Sequence, residues 1–202
     1  SAFGFNNLVS GFGGTALGSL NTASGARSVA IGNRSLGQGR SAVAVGSWFD
    51  LNGNSAFDAG ENTTALADGS SAFGVASQAL NIGSTALGFN AIADRDYAIS
   101  VGRTGGEHQI IHLAAGTADT DAVNLSQLFP MMAALGGGAS YVGGVFVAPT
   151  FTIQGSNYNS VGAAFAAVDA RLTSLGATAG VPGPQGPAGP AGPTGPQGPD
   201  GN

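Results

Sequence analysis

The feature that most constrains this chain is a glycine that recurs every fourteen residues through its first half. Each glycine follows a short apolar stretch, as in Thr15-Ala16-Leu17-Gly18 and Thr85-Ala86-Leu87-Gly88. The series consists of Gly4, Gly18, Gly32, Gly46, Gly60, Gly74, Gly88 and Gly102. A fixed period with one short strand per unit is typical of a solenoid, because a single unit is too short to fold alone and must stack on its neighbours. The sequence therefore predicts a β-solenoid over residues 1–106.

Two columns of side chains run along the predicted solenoid, because side chains alternate along a strand. We expect the residue directly before each glycine to fill the coil interior. These residues are Phe3, Leu17, Ile31, Val45, Ala59, Phe73, Leu87 and Val101. We expect the preceding column, which consists of small residues, to contact a neighbouring chain. Its members are Ala2, Ala16, Ala30, Ala44, Asp58, Ala72, Ala86 and Ser100.

Composition excludes several classes of function. The chain has 202 residues, six basic residues and a net charge of -5, which gives no basic surface for nucleic acid. It has no cysteine, so thiol catalysis, disulfides and thiolate metal sites are excluded. No apolar run approaches the roughly 20 residues that span a bilayer, so we expect no membrane insertion by this fragment. No motif of an enzyme active site is present, and we expect a protein that is not an enzyme.

The end of the chain carries glycine at every third position. Only glycine fits at the crowded axis of a collagen triple helix, so this spacing predicts a collagen-like segment over residues 180–202 and an assembly of three chains. Proline directly follows six of these glycines. The glycines are Gly180, Gly183, Gly186, Gly189, Gly192, Gly195, Gly198 and Gly201.

Two shorter patterns precede the collagen-like segment. Residues 139–158 alternate apolar runs with Gly143-Gly144 and Ala148-Pro149, which predicts short strands in a β-rich stalk connector. Over residues 159–179, apolar residues recur at spacings of four and three, which predicts a short trimeric coiled coil. This stripe consists of Val161, Phe165, Val168, Leu172 and Leu175.

Residues 107–138 predict a neck with a short helix. Thr120 or Asp121 can cap a helix whose apolar positions Val123, Leu125 and Leu128 would face partner chains. Pro130 and the run Gly136-Gly137-Gly138 limit how far that helix can continue.

The repeated Ser/Thr-Ala-apolar-Gly pattern resembles the head of the trimeric autotransporter adhesins, the YadA-like family. The segment from Glu107 to Leu128 is similar to the neck of that family almost residue for residue. The resemblance implies a homotrimer with a left-handed parallel β-roll head and a neck that passes each chain to its neighbour. It also implies attachment to host extracellular matrix, cells or surfaces.

The same resemblance implies a location outside a bacterium, with an outer-membrane anchor in a region absent here. The repeat begins in the middle of a unit at Ser1, which favours a piece of a longer chain. The alternative hypothesis is a trimeric bacteriophage tail fibre, located on a virion, because such fibres also combine β modules with collagen-like shafts.

One stretch departs from the chemistry of the repeat. Its oxygen-bearing side chains fall at the first, third, fifth, ninth and twelfth places of a calcium loop, which predicts a calcium site. They belong to Asp50, Asn52, Asn54, Asp58 and Glu61. Asp58 also stands in the small column, where three copies meeting between chains would need a cation. Against calcium, Ser55 occupies the place where such a loop prefers glycine, and the alternative is an ordinary repeat with a polar turn.

Overall fold

The computed structural model describes residues 1–179, 183–195 and 197–198, in two compact units, Ser1–Leu113 and Ala114–Asn202. The first unit is built from parallel strands in two sheets, with odd-numbered strands in one and even-numbered strands in the other. The strands are β1 (Ala2–Phe5), β2 (Leu8–Val9), β3 (Thr15–Ser19), β4 (Thr22–Ala23), β5 (Val29–Asn33), β6 (Leu36–Gly37), β7 (Val43–Ser47), β8 (Thr64–Ala65), β9 (Ser71–Phe73), β10 (Gln78–Ala79), β11 (Thr85–Leu87), β12 (Ile92–Ala93) and β13 (Ile99–Ser100). The predicted β-solenoid is therefore confirmed.

The interior of the solenoid is lined by alanine. Ala16, Ala30, Ala44, Ala72 and Ala86 of the first sheet are 0% exposed. The inward residues Ala23, Ala65, Ala79 and Ala93 of the second sheet are at most 1% exposed. Our assignment of the two columns is therefore wrong, because the small column fills the coil and does not face a neighbouring chain.

The large apolar column points outward. Leu17 is 48% exposed and Leu87 is 51% exposed in the single chain. The physical reason is the size of the coil: two short strands and two turns leave room between the sheets for methyl groups and not for larger side chains. The outer face of the first sheet is therefore an apolar surface.

The repeated glycines are required by the stacking of one coil on the next. Gly18 has a φ of +118°, and a Cβ there would overlap the carbonyl oxygen of Gly32 on the next coil. Buried polar side chains satisfy these carbonyls. Asn21 Nδ2 donates to the carbonyl oxygens of Leu17 at 3.0 Å and Gly32 at 2.9 Å.

The fourteen-residue series is interrupted once. Strand β7 pairs directly with β9, with Val43 opposite Ser71 and Ala44 opposite Ala72. Residues 48–61 therefore leave the stack, and we call them the insertion. The expectation that Asp58 and Ala59 occupy the two columns is wrong, because a charged side chain at Asp58 would fall in the fully buried alanine column.

The second unit begins with a short helical segment. A 3₁₀ turn, Leu125–Leu128, leads into helix α1 (Phe129–Leu135), which has Pro130 in its first turn and ends at Gly136. Asn124 is the N-cap, so the prediction of Thr120 or Asp121 as the cap is wrong. The Asp121 carboxylate instead accepts hydrogen bonds from the backbone N–H groups of Thr117 and Ala118, which lower its pKa.

Two hairpins and a longer helix follow. The hairpins pair β14 (Ser140–Val142) with β15 (Val145–Val147) and β16 (Phe151–Ile153) with β17 (Ser156–Tyr158), which confirms short strands in this region. Helix α2 (Val161–Ala179) carries the predicted apolar stripe, with Phe165 71% exposed and Leu172 62% exposed. Across the described residues, neither helix has the length and apolar character needed to cross a membrane.

The collagen-like prediction falls partly on described residues. Residues 183–195 and 197–198 form neither helix nor strand. Gly180 and Gly201, with Pro196 and Pro199, lie outside the described residues. At Gly183, Gly186, Gly189, Gly192, Gly195 and Gly198, an added Cβ would meet no atom within 4 Å in the single chain.

Candidate functional site

The insertion is the part of the first unit whose chemistry differs most from the repeat. It leaves the stack after Ser47 at the end of β7 and returns before Thr64 at the start of β8. The coils on either side of the insertion stay connected at its base. Thr63 Oγ1 donates hydrogen bonds to the carbonyl oxygens of Ser47 at 3.0 Å and Gly74 at 2.7 Å. The coil on either side therefore keeps its geometry, and the insertion is free to differ in sequence.

Aromatic side chains hold the insertion against the solenoid. The rings of Phe49 and Phe89 meet edge to face at 5.2 Å between centroids. Within the insertion, Trp48 and Phe57 meet edge to face at 6.1 Å between centroids. The guanidinium of Arg34, on the solenoid, lies 4.6 Å from the centre of the Phe57 ring. Such aromatic pairs contribute about 0.5–1.5 kcal/mol each beyond their buried area. The sequence analysis did not identify these contacts, although the concentration of aromatic residues beside Asp58 was a usable signal.

The first half of the insertion is a tight turn around Asp50. The carboxylate of Asp50 accepts hydrogen bonds from the backbone N–H groups of Gly53 at 2.6 Å and Ser55 at 2.7 Å. The side-chain oxygen of Asn52 accepts from the backbone N–H of Asn54 at 3.0 Å. Asp50 therefore organises the backbone of the turn.

Asp58 binds the side chains of Asn52 and Asn54. Its Oδ2 accepts from Asn52 Nδ2 at 2.7 Å and from Asn54 Nδ2 at 2.6 Å. These two hydrogen bonds, first that of Asn52 and then that of Asn54, lower the pKa of Asp58 because they stabilise its charged form. Asp58 is therefore ionised at neutral pH.

The buried side chain of Glu61 binds the backbone of the insertion at two points. It is 3% exposed, and its two carboxylate oxygens accept hydrogen bonds from the backbone N–H groups of Leu51 at 2.9 Å and Asp58 at 3.0 Å. A buried carboxylate held by backbone donors is a structural clamp, because the N–H groups compensate its loss of water.

The predicted calcium ligands are only partly brought together. Asn52, Asn54 and Asp58 are joined by hydrogen bonds, whereas the carboxylates of Asp50 and Glu61 bind backbone N–H groups. Within the described part of the chain, no three His, Asp or Glu side chains are close enough together to hold a metal ion. Calcium binding by these five residues stays a prediction.

An ion pair beside the insertion confirms the pairing of the coils. Arg40 Nη2 lies 2.8 Å from Asp68 Oδ2, and the backbone N–H of Arg40 donates to Asp68 Oδ1 at 2.7 Å. The two residues are 28 positions apart in the chain, which is twice the repeat length.

A cleft opens between the insertion and the coils that follow it. Asp58 and Glu61 contribute to its wall from the insertion, and Gln78, Asn90 and Arg103 contribute from the solenoid. Sequence reasoning did not identify the three solenoid residues, because each occupies a variable position of the repeat.

Two family models match the chain. The model described as the YadA head domain repeat matches residues 10–35, 65–91 and 79–103. The model described as the coiled stalk of trimeric autotransporter adhesin matches residues 109–147. Together the matched segments cover about half of the 202 residues. The chain belongs to the trimeric autotransporter adhesins.

The family match places this adhesin among trimeric, structural proteins of the bacterial cell surface, in agreement with the lack of catalytic motifs in its sequence. The head repeats match on both sides of residues 36–64 and not within them. The insertion therefore lies outside the matched repeats.

A solved structure is similar to this adhesin. It is the crystal structure of the collagen-binding domain of the Yersinia adhesin YadA, with 29% sequence identity and a TM-score of 0.43. The alignment covers 65% of this chain and 75% of that chain. No curated protein sequence matches the adhesin.

Proposed function

We propose that this adhesin works as a homotrimer that attaches a bacterial cell to host extracellular matrix or to ligands on host cells. The head would present the binding surfaces, and the stalk would hold them away from the bacterium. The observation that carries the trimer is the apolar outer face of the first sheet, formed by the column from Leu17 to Leu87. A single chain leaves Leu17, Phe73 and Leu87 exposed and Ile31 and Val45 half-buried. The attachment rests on the family match.

The apolar residues of this face form one continuous row across five neighbouring strands. Leu17, Ile31 and Val45 stand opposite one another on β3, β5 and β7, and Phe73 and Leu87 continue the column on β9 and β11. Monomeric soluble proteins rarely expose contiguous apolar patches of more than a few hundred Å², because such patches associate. In the family to which this chain belongs, the partner is a second and a third copy.

The stalk supports the same assembly. The stripe of α2 is exposed in one chain, and two heptads form a stable coiled coil only with partners. At the six described glycines of the collagen-like segment, glycine has no steric cause within one chain, since an added Cβ meets open space. Close packing with two further chains would supply that cause.

We also propose a division of the chain into modules. Residues 1–106 form the head, residues 107–138 the neck and short helix, and residues 139–158 a β-rich connector. Residues 159–179 form the coiled coil and residues 180–202 the collagen-like segment. The anchor in the outer membrane would belong to a region absent here.

Two measurements test the proposal. Multi-angle light scattering on the whole fragment should give three times the mass of one 19.5 kDa chain. The labelled fragment should then bind immobilised collagen, laminin or fibronectin, or cultured cells, above the level seen with a collagen-like shaft lacking the head. Collagen is the first choice of probe because the solved relative is described as a collagen-binding domain. A monomer, or a head that binds none of these surfaces, would contradict the proposal.

A further inference from the structure

The cleft between the insertion and the solenoid has the size of a small-molecule site. Its volume is about 390 Å³, which lies within the range of about 300–1,000 Å³ usual for such sites. Leu51 and Ile92 supply apolar surface, and the polar wall residues are Asp58, Glu61, Gln78, Asn90 and Arg103. All of these residues belong to the first unit, Ser1–Leu113.

Asn90 is a polar residue in the wall of this cleft. The residue is 9% exposed, and its backbone N–H donates to the Val75 carbonyl oxygen at 2.9 Å. Its side chain makes no hydrogen bond to any other residue in the described part of the chain, and its amide is not among the fully buried side-chain atoms that lack a partner, Ser28 Oγ and Asn33 Oδ1. The amide is therefore reached by water, and a ligand that enters the cleft can replace that water as its hydrogen-bond partner.

The other polar groups offer both donors and acceptors. Arg103 forms no ion pair among the described residues, which leaves its guanidinium donors available. Gln78 Nε2 donates to the Gly60 carbonyl oxygen at 2.7 Å, which fixes the side chain and leaves its oxygen as an acceptor. Asp58 retains Oδ1 as an acceptor, because the two asparagines bind Oδ2.

The charges of the side chains in the cleft limit the kinds of ligand that it can bind. The carboxylates of Asp58 and Glu61 outnumber the guanidinium of Arg103, so the wall carries one excess negative charge and disfavours an anion. The two oxygens of the buried Glu61 are bound by backbone N–H groups, which leaves one free carboxylate, that of Asp58, and one guanidinium, that of Arg103, in the wall. A neutral ligand whose groups both donate and accept hydrogen bonds, and which has an apolar face for Leu51 and Ile92, fits these walls best.

We propose that this cleft binds a neutral hexose unit of a host glycan. Each sugar hydroxyl donates and accepts at once, which matches the amide of Asn90, the oxygens of Gln78 and Asp58 and the donors of Arg103. The C–H face of a pyranose ring supplies the apolar surface. The inference rests on the proposed function and deepens it, because glycans are part of matrix glycoproteins and of cell surfaces.

The test uses the intact fragment on a printed array of neutral and sialylated mammalian oligosaccharides, followed by calorimetry with the best neutral oligosaccharide. Asn90→Gly removes the amide and keeps the backbone, since Asn90 has a φ of 52°. Arg103→Gln removes the guanidinium, and Arg95→Gln is the matched control on an exposed arginine that does not line the cleft. We expect at least a tenfold loss of affinity in the first two variants and none in the third, with the melting temperature of each close to that of the parent.

Three results would overturn the inference. These are binding to no neutral oligosaccharide, binding to sialylated oligosaccharides alone, and equal binding by the parent, Asn90→Gly and Arg103→Gln. Adhesion to a deglycosylated matrix protein that all variants retain would also overturn it, while leaving the proposed attachment function intact. Loss of adhesion by the parent fragment itself would count against the attachment function.

Discussion

Arg40 and Asp68 form an ion pair between neighbouring coils, with Arg40 Nη2 2.8 Å from Asp68 Oδ2, although 28 positions separate them in the chain. The coil that contains Arg40 therefore stacks on the coil that contains Asp68, and the intervening repeat unit does not take part in the stack. The insertion is as long as one repeat, which explains why the fourteen-residue series continues beyond it without a change of phase.

The first prediction follows from this pairing. Deletion of residues 48–61 joins Ser47 to Asn62 and restores a continuous series of coils, so the head should stay folded. The contact between Phe49 and Phe89 is lost, and we expect a small decrease in melting temperature. Circular dichroism and melting of the whole fragment measure this, with deletion of the half coil 22–28 as the control that should disrupt the stack. An unfolded head after deletion of 48–61 would contradict the account.

The second prediction concerns the pH dependence of the ion pair. The hydrogen bond from the Arg40 side chain lowers the pKa of Asp68 in the folded state. A lowered carboxyl pKa stabilises the fold above the unfolded pKa of about 3.9 and loses this contribution as the pH falls through the folded pKa. Asp68→Asn should therefore lower the melting temperature slightly at pH 7, and this effect should shrink as the pH falls below about 3.9.

The effect of Asp68→Asn should be small, because both side chains are largely exposed. High salt should also weaken it, since exposed charges are screened. Asp94→Asn, at an exposed residue outside this pair, is the control. Equal effects of the two substitutions at every pH would show that the ion pair does not stabilise the coils.

The third prediction concerns the polar side chains inside the solenoid. Asn21 is 0% exposed and binds backbone groups of its own coil and of the next one. Asn21→Ala should lower the free energy of unfolding by about 1–3 kcal/mol, because it leaves buried carbonyls without a donor. Chemical denaturation of the head measures this. Ser24→Ala, at an exposed turn position, should have little effect, and an equal loss in both variants would contradict the role of Asn21.

The fourth prediction is calcium binding by the insertion. If Asp50, Asn52, Asn54, Asp58 and Glu61 bind calcium, titration of the fragment with calcium chloride should release or absorb heat, and the melting temperature should rise. Asp50→Asn should weaken binding at least tenfold, with Asp119→Asn in the second unit as the control. Absence of binding heat, together with an unchanged melting temperature in chelator, would leave the insertion as a polar loop closed by its own hydrogen bonds.

Much of this fold could be predicted from sequence because the glycine period and the alternation of side chains follow directly from backbone geometry. The sequence could not show which of the two columns of side chains points into the coil. Ala16 and Leu17 are both apolar, and only the distance between the sheets decides which of them is inside. The insertion was also hidden, because its length equals one repeat. The local signals were Asp58, at a position where the other coils mostly place alanine, and the aromatic residues beside it.

The candidate site was the least predictable part. Asn90 and Arg103 come from separate coils, and they meet the insertion only because that segment folds back over the coils after it. A sequence pattern identifies residues at fixed spacing, and Asp58, Asn90 and Arg103 are not separated by a multiple of the repeat length. The acidic residues of the insertion were identified because they lie within one continuous stretch.

The last prediction concerns the proposed association of three chains through the apolar outer face of the first sheet. Multi-angle light scattering of the double variant Leu17→Asp/Leu87→Asp measures this association, with Leu36→Asp, on the outer face of the second sheet, as the matched control. Burying one leucine is worth about 1.5–3 kcal/mol, and charges at these positions would be brought together without water. We expect a trimer for the parent and for Leu36→Asp, and dissociation or loss of folding for the double variant. A double variant that remains a trimer with an unchanged melting temperature would contradict it.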